Sequence, residues 1–140
     1  MNSVELFLVD DDEDDRELFQ YALKAISFNV NFTYATSGPR ALQQLQQLST
    51  PPDYIFLDMH MPGMNGCECR AAIRKIPALK GGPVIIYSAN SMHEYEQLAK
   101  QLHARHYMVK PYRSSDLTRV LEDLLAARPL PFVLQVCDRM

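Results

Sequence analysis

Short apolar runs alternate with amphipathic stretches along the whole chain. Val4 to Val9 reads as a buried strand that ends abruptly in acid. Leu18, Phe19, Ala22, Leu23 and Ile26 then recur at helical spacing. Val30 to Ala35 alternates apolar and polar, with β-branched and aromatic residues, and predicts a second strand. Ser37-Gly38-Pro39 opens a second helix, because proline is tolerated in a first turn. Its buried stripe is Ala41, Leu42, Leu45 and Leu48, and Pro51-Pro52 ends it. Tyr54 to Leu57 predicts a third strand, closed by Asp58.

Pro62, Gly63 and Gly66 mark a loop, after which Ala71, Ala72, Ile73 and Ile76 predict a third helix stopped near Pro77. Gly81-Gly82-Pro83 is a turn before a fourth strand, Val84 to Tyr87. Met92, Tyr95, Leu98, Ala99 and Leu102 suggest a fourth helix, and Tyr107-Met108-Val109 a fifth strand. Ser114-Ser115-Asp116 can cap a fifth helix with the stripe Leu117, Val120, Leu121, Leu124 and Leu125, broken by Arg128-Pro129-Leu130-Pro131. Five strands alternating with five helices imply a doubly wound α/β fold, its parallel sheet covered on both faces. Right-handed crossovers leave few topologies. The flavodoxin-like order 2-1-3-4-5 suits five strands and puts the switch point between strands 1 and 3, where such sheets bind ligands.

A length of 140 residues fits one domain. A hydrophobic content of 47% supplies one core, and a net charge of -3 gives nothing global to attract nucleic acid or anionic membrane. No apolar run approaches the ~18 residues that would span a bilayer. The start, Met1 to Glu5, lacks the basic region of a signal peptide, so a cytoplasmic location is expected. Three cysteines, with Cys67 and Cys69 two positions apart on a helix, are expected as free thiols.

The chemistry stands at the strand ends. Asp10 and Asp11 follow strand 1, Asp58 follows strand 3, Ser88 follows strand 4, and Lys110 follows strand 5. Parallel strands bring all five to one rim, with three carboxylates meeting at the switch point. Two charges ~4 Å apart interact by about 4 kcal/mol at an effective dielectric of 20. Such a cluster protonates in part or takes a cation, and hard oxygen ligands suit Mg2+. A carboxylate beside Mg2+ can attack an activated phosphoryl group. Lys110 supplies further charge and Ser88 a hydroxyl. Asp12, Glu13, Asp14 and Asp15 are read as structural, acids that complement the dipole of the first helix.

These residues resemble the receiver domain of two-component response regulators, over roughly Val4 to Ala127. The likeness is carried by Leu8-Val9-Asp10-Asp11 with Arg16, by the segment from Asp58 to Gly66, by Tyr87-Ser88-Ala89, by Tyr107, and by Lys110-Pro111-Tyr112. The resemblance implies that Asp58 accepts a phosphoryl group from a phosphohistidine, on a sensor histidine kinase or a histidine phosphotransfer protein. It implies Mg2+ held by Asp10, Asp11, Asp58 and the backbone carbonyl of His60. Ser88 and Tyr107 would act as the switch, and Lys110 would contact the phosphoryl oxygens through a Lys110–Pro111 bond that is usually cis in the family. Self-phosphorylation and autodephosphorylation are implied, without turnover of a small-molecule substrate. A downstream protein target would use the fourth helix, fifth strand and fifth helix, and the chain would be a monomer or a weak dimer through the same face.

Some positions depart from that pattern. His103-Ala104 stands where many receivers carry Gly-Ala, which puts the turn before strand 5 in question. His60 and Asn90 occupy positions that tune phosphoryl lifetime in the family. Residues 1–128 are expected to form the receiver, and 129–140 a short tail with no output domain. The apolar segment Phe132 to Val136 is expected to dock on the domain or on a second subunit, or to fray. Two other functions compete: a phosphate-independent interaction module with the same fold, and a haloacid-dehalogenase-like phosphohydrolase using Asp10-Asp11-Asp12. The latter lacks a cap domain, has Asp14 where a Thr or Val is expected, and leaves the Asp58 loop without a purpose. An EF-hand loop fits Asp10, Asp12 and Asp14 but wants Gly at Asp15 and Glu at Tyr21. No basic helix or patch suits DNA.

Overall fold

A computed structural model describes residues 3–79, 83–89, 93–126 and 129–135, with the side chains of 93 and 94 set aside. Gly81, Gly82, Asn90, Met92, Ala127, Arg128 and Val136, named above, lie outside the described residues. The order is β1 (Val4–Val9), α1 (Glu13–Leu23), β2 (Val30–Ala35), α2 (Gly38–Gln47), β3 (Tyr54–Asp58) and α3 (Gly66–Arg74). A short 3-10 helix (Pro77–Leu79) leads to β4 (Val84–Ser88), α4 (His93–Gln101), β5 (His106–Val109), α5 (Ser114–Leu125) and β6 (Val133–Leu134). All pairings are parallel, in the order β2-β1-β3-β4-β5-β6. The expected 2-1-3-4-5 order is present, and a sixth strand from the tail extends it.

Alternation along the strands builds two apolar layers. Leu6, Leu8, Phe56, Ile85, Tyr87 and Met108 face α1 and α5, meeting Phe19, Ala22, Leu117, Leu121 and Leu124. Phe7, Val9, Ile55, Leu57, Ile86 and Tyr107 face α2, α3 and α4, meeting Ala41, Leu45, Cys69, Ile73 and Ala99. The near-continuous apolar runs in the sequence reflect this two-sided burial. Cys67 and Cys69 are free.

The helix starts follow local chemistry. Asp12 caps α1 by accepting from the N–H groups of Asp14 (2.8 Å) and Asp15 (3.3 Å). Ser37 caps α2, and Asn65 with Glu68 forms a reciprocal capping box on α3. The helix α5 departs from expectation. It begins one residue earlier, with Arg113 in the cap position and no side-chain cap bond, so Ser114, Ser115 and Asp116 lie inside its first turn. Asp116 there complements the helix dipole. Ile26 falls beyond α1, which ends at Leu23.

At its far end α4 stops in a left-handed residue, His103, with φ of 58°. The His103 N–H donates to Lys100 O (3.0 Å) and the Ala104 N–H to Ala99 O (3.1 Å), the bonding of a Schellman turn. Glycine is the residue that adopts this conformation without strain. The guanidinium of Arg70, from α3, donates through Nε to Leu102 O (3.1 Å) and through Nη2 to His103 O (3.2 Å), which secures the turn. This is how the chain closes α4 with His103 in place of glycine.

Candidate active site at the carboxyl ends of the strands

Register brings the chemistry together. Val9 lies beside Leu57, Asp58 beside Tyr87, and Ser88 beside Val109. The strands therefore end on one line, and the residues just named gather there. Asp58 is itself the last residue of β3 and Ser88 the last of β4. Asp10, Asp11 and Asp58 each offer a carboxylate oxygen, and these oxygens lie within 4.8 Å of one another. Asp10 and Asp58 are buried, while Asp11 is exposed.

The loop after β3 is held against this cluster by glycine at position 66. A Cβ there would come within 2.7 Å of the Met59 Cα and 2.8 Å of the Asp58 carbonyl oxygen, so only glycine lets α3 start so close. Gly63 supplies the left-handed turn in the same loop, with φ of 79°. The His60 N–H donates to Asp58 Oδ1 at 3.2 Å. The His60 ring turns elsewhere and meets the Tyr95 ring edge-on at 5.5 Å.

Lys110 is the cation of the site. Its Nζ donates to Asp15 Oδ2 at 2.7 Å and to Asp10 Oδ2 at 3.0 Å, and lies 3.7 Å from Asp58 Oδ1. It also sits 5.1 Å above the ring of buried Tyr87. The Lys110 N–H bonds Ser88 O at 2.7 Å, which ties the start of this loop to β4. The Lys110–Pro111 bond is trans, since no cis peptide bond occurs among the described residues. With that bond trans, the ammonium still reaches all three carboxylates.

The electrostatics follow from burial and crowding. Burial pushes the Asp58 carboxyl up to about 7; the Lys110 charge opposes this, and the Asp10 and Asp11 charges add to it. Burial likewise raises Asp10, against the pull of Lys110 and of the Asp12 N–H that it accepts at 3.0 Å. For Lys110, burial works against the charged form. The hydrogen bond to Asp15 and the charges of Asp10 and Asp58 outweigh it, and the ammonium is held well above its ordinary range. Arg16 acts one step back: Nη1 donates to Asp10 O at 3.1 Å while the guanidinium lies 5.1 Å from the Tyr34 ring centroid.

Ser88 is fully buried and hydrogen-bonds the Tyr107 hydroxyl. Tyr107 points into the protein. The residue that sequence reasoning missed is Asp15. Its spacing on α1 was read as dipole compensation, yet it makes the shortest contact to Lys110. A helical register started at Asp12 puts Asp15 one turn later, over the strand ends; that was the available signal.

The family model of the response regulator receiver domain matches residues 6–122. This chain belongs to that family. Response regulator Rcp1 of Synechocystis sp. is 27% identical over 124 residues, which is 85% of this chain and 84% of the relative. Chemotaxis protein CheY-3 of Vibrio cholerae is 30% identical over 122 residues, 87% of this chain and 92% of the relative. Among solved structures, the phosphorylated cyanobacterial phytochrome response regulator RcpA superposes with a TM-score of 0.79 at 27% identity, covering 93% of this chain and 99% of that one. The Mn2+-bound form of response regulator Rcp1 superposes with a TM-score of 0.75 at 27% identity, covering 91% and 99%. Phosphorylation on aspartate and dependence on Mg2+ are general in the family. Its members bind Mg2+ at an acidic pocket and interact with histidine kinases or phosphotransfer proteins and with downstream targets. No helix among the described residues is long and apolar enough to cross a membrane.

The three carboxylates fit such an ion. Their oxygens lie within 4.8 Å of one another, close enough for one hard cation to be shared among them. The donor set is all oxygen, and two of its three carboxylates, Asp10 and Asp58, are buried.

Proposed function

We propose that Asp58 is the phosphoacceptor of this receiver and that Asp10, Asp11, Asp58 and the carbonyl of His60 hold Mg2+. The observation that carries the reading is the ammonium of Lys110 set among the carboxylates of Asp10, Asp15 and Asp58, with Asp58 at the end of β3. In the reaction a carboxylate oxygen of Asp58 bonds to phosphorus as the P–N bond to the donor imidazole breaks, and the imidazole nitrogen keeps the electron pair. Mg2+, when bound, supplies positive charge against the phosphoryl oxygens. Lys110 turns its ammonium toward those oxygens from the β5 side. The His60 N–H, already 3.2 Å from Asp58, restrains the carboxylate. Ser88 would donate to a phosphoryl oxygen, releasing its bond with Tyr107 and so passing the change to β5 and α4.

The donor is a phosphohistidine on a sensor kinase or a phosphotransfer protein, and the output is contact with a protein target. The surface of α4, β5 and α5 is offered only in part, because β6 covers the edge of β5. Intact mass after exposure to acetyl phosphate is the test. One phosphoryl adduct that needs Mg2+ and disappears in Asp58→Asn is expected. No adduct with either protein would replace this reading by that of a phosphate-independent interaction module.

A further inference from the structure

We infer that Asp15 is a positioning residue that holds the Lys110 ammonium over Asp58 for phosphoryl transfer. The inference rests on Asp58 being the phosphoacceptor. Lys110 has three N–H donors. Two are occupied, by Asp15 at 2.7 Å and Asp10 at 3.0 Å, and the third is left for the side of Asp58, 3.7 Å away. An ammonium on a four-carbon stem has no preferred direction of its own, so its partners set where the remaining donor points.

The two partners are not equivalent. Asp10 belongs to the cluster of three carboxylates that fits a cation, and Asp15 does not. A cation held by Asp10, Asp11 and Asp58 would draw charge from Asp10 and weaken its hold on Lys110. Asp15 is then the counter-charge that stays with Lys110 through the reaction. It is well placed to do so. Its backbone N–H is fixed by the Asp12 cap at 3.3 Å, and its side chain is only one-third exposed. Pinned there, the Lys110 ammonium lies 5.1 Å from the Tyr87 ring centroid, with its side chain 11% exposed. A phosphoryl group arriving on Asp58 meets an ammonium that needs no search.

The acid at position 15 therefore has a task separate from its neighbours. Asp12 caps the helix, while Glu13 and Asp14 stand in its first turn. The test is a double-mutant cycle on the rate of Asp58 phosphorylation by acetyl phosphate in saturating Mg2+. Asp15→Asn is expected to slow the reaction about tenfold, and Asp15→Glu, which keeps the charge, to recover most of the loss. In a Lys110→Met background the Asp15→Asn change should have no further effect, since its partner is gone. Equal slowing with and without Lys110 would overturn the inference, as would an unchanged rate in Asp15→Asn. The natural protein is the control: if it forms no adduct on Asp58, the phosphoacceptor reading and this inference fall together. A normal rate in the natural protein and in Asp15→Asn removes Asp15 alone.

Discussion

At the carboxyl ends of β1, β3 and β5 the Lys110 ammonium pairs with Asp10 and Asp15 and lies 3.7 Å from Asp58, whereas the outer edge at β5 and β6 carries backbone hydrogen bonds and apolar side chains. At that edge the Tyr107 N–H donates to Phe132 O at 2.9 Å, and the His106 ring nitrogen Nδ1 sits 3.0 Å from Pro131 O. Lys100 lies 5.3 Å from the Phe132 ring centroid, and Leu134 is buried against α5. The first region works against folding and serves chemistry. The second serves folding and meets the chemistry through Tyr107, whose hydroxyl hydrogen-bonds Ser88. The contrast predicts which measurements each set of substitutions should move.

The largest effect is expected from Lys110→Met. Phosphorylation of Asp58 should slow at least about a hundredfold, because a charge preset for the transition state is gone. Metal-free stability should fall by roughly 2–3 kcal/mol, because the buried carboxylates lose their cation, and added Mg2+ should restore much of it. Urea unfolding with and without Mg2+ reads both.

Asp58→Asn should do the reverse to the metal-free fold. The folded carboxyl stands at about 7 against an ordinary value of 3.8, so between those values the folded state binds more protons than the unfolded one. Stability from this group therefore falls as pH rises from about 4 to about 7, and is low above that. Removing the charge should stabilise the metal-free protein at pH 7.5 by on the order of 2 kcal/mol while leaving it unable to accept a phosphoryl group. A less stable variant at that pH would break the contrast.

Deletion from Pro129 onward should cost about 1–2 kcal/mol, from the apolar area of Leu134, Leu130 and Phe132 and from the short ladder. A cavity of 130 Å³ between α5 and the tail, lined by Val120, Asp123 and Leu134 among others, keeps that figure modest. The phosphorylation rate should stay within about twofold. The smallest effect is expected from His103→Gly, which removes left-handed strain and should stabilise by about 1 kcal/mol in thermal unfolding.

Much of the rim was legible in the sequence because parallel strands separated by helices must end together, and β1, β3, β4 and β5 each end in, or just before, a residue of distinctive chemistry. The tail was legible only as an apolar segment. Two strand residues have no periodicity to read, and pairing with β5 depends on an edge that exists only in the fold. Arg70 was illegible for another reason: an arginine on a helix reads as solvated, and its burial against the carbonyls of Leu102 and His103 follows from how α3 meets α4. Asp15 lay in an acidic run whose members differ only in the direction they face around the helix.

The most direct test of the central claim is to find the phosphoryl group by residue. The protein is treated with acetyl phosphate and Mg2+, reduced at once with borohydride, and mapped by peptide mass spectrometry. An acyl phosphate is reduced to an alcohol, so homoserine in place of Asp58, dependent on Mg2+ and on the phosphodonor, is the expected result. Homoserine at Asp10 or Asp11, or none at all, would contradict it.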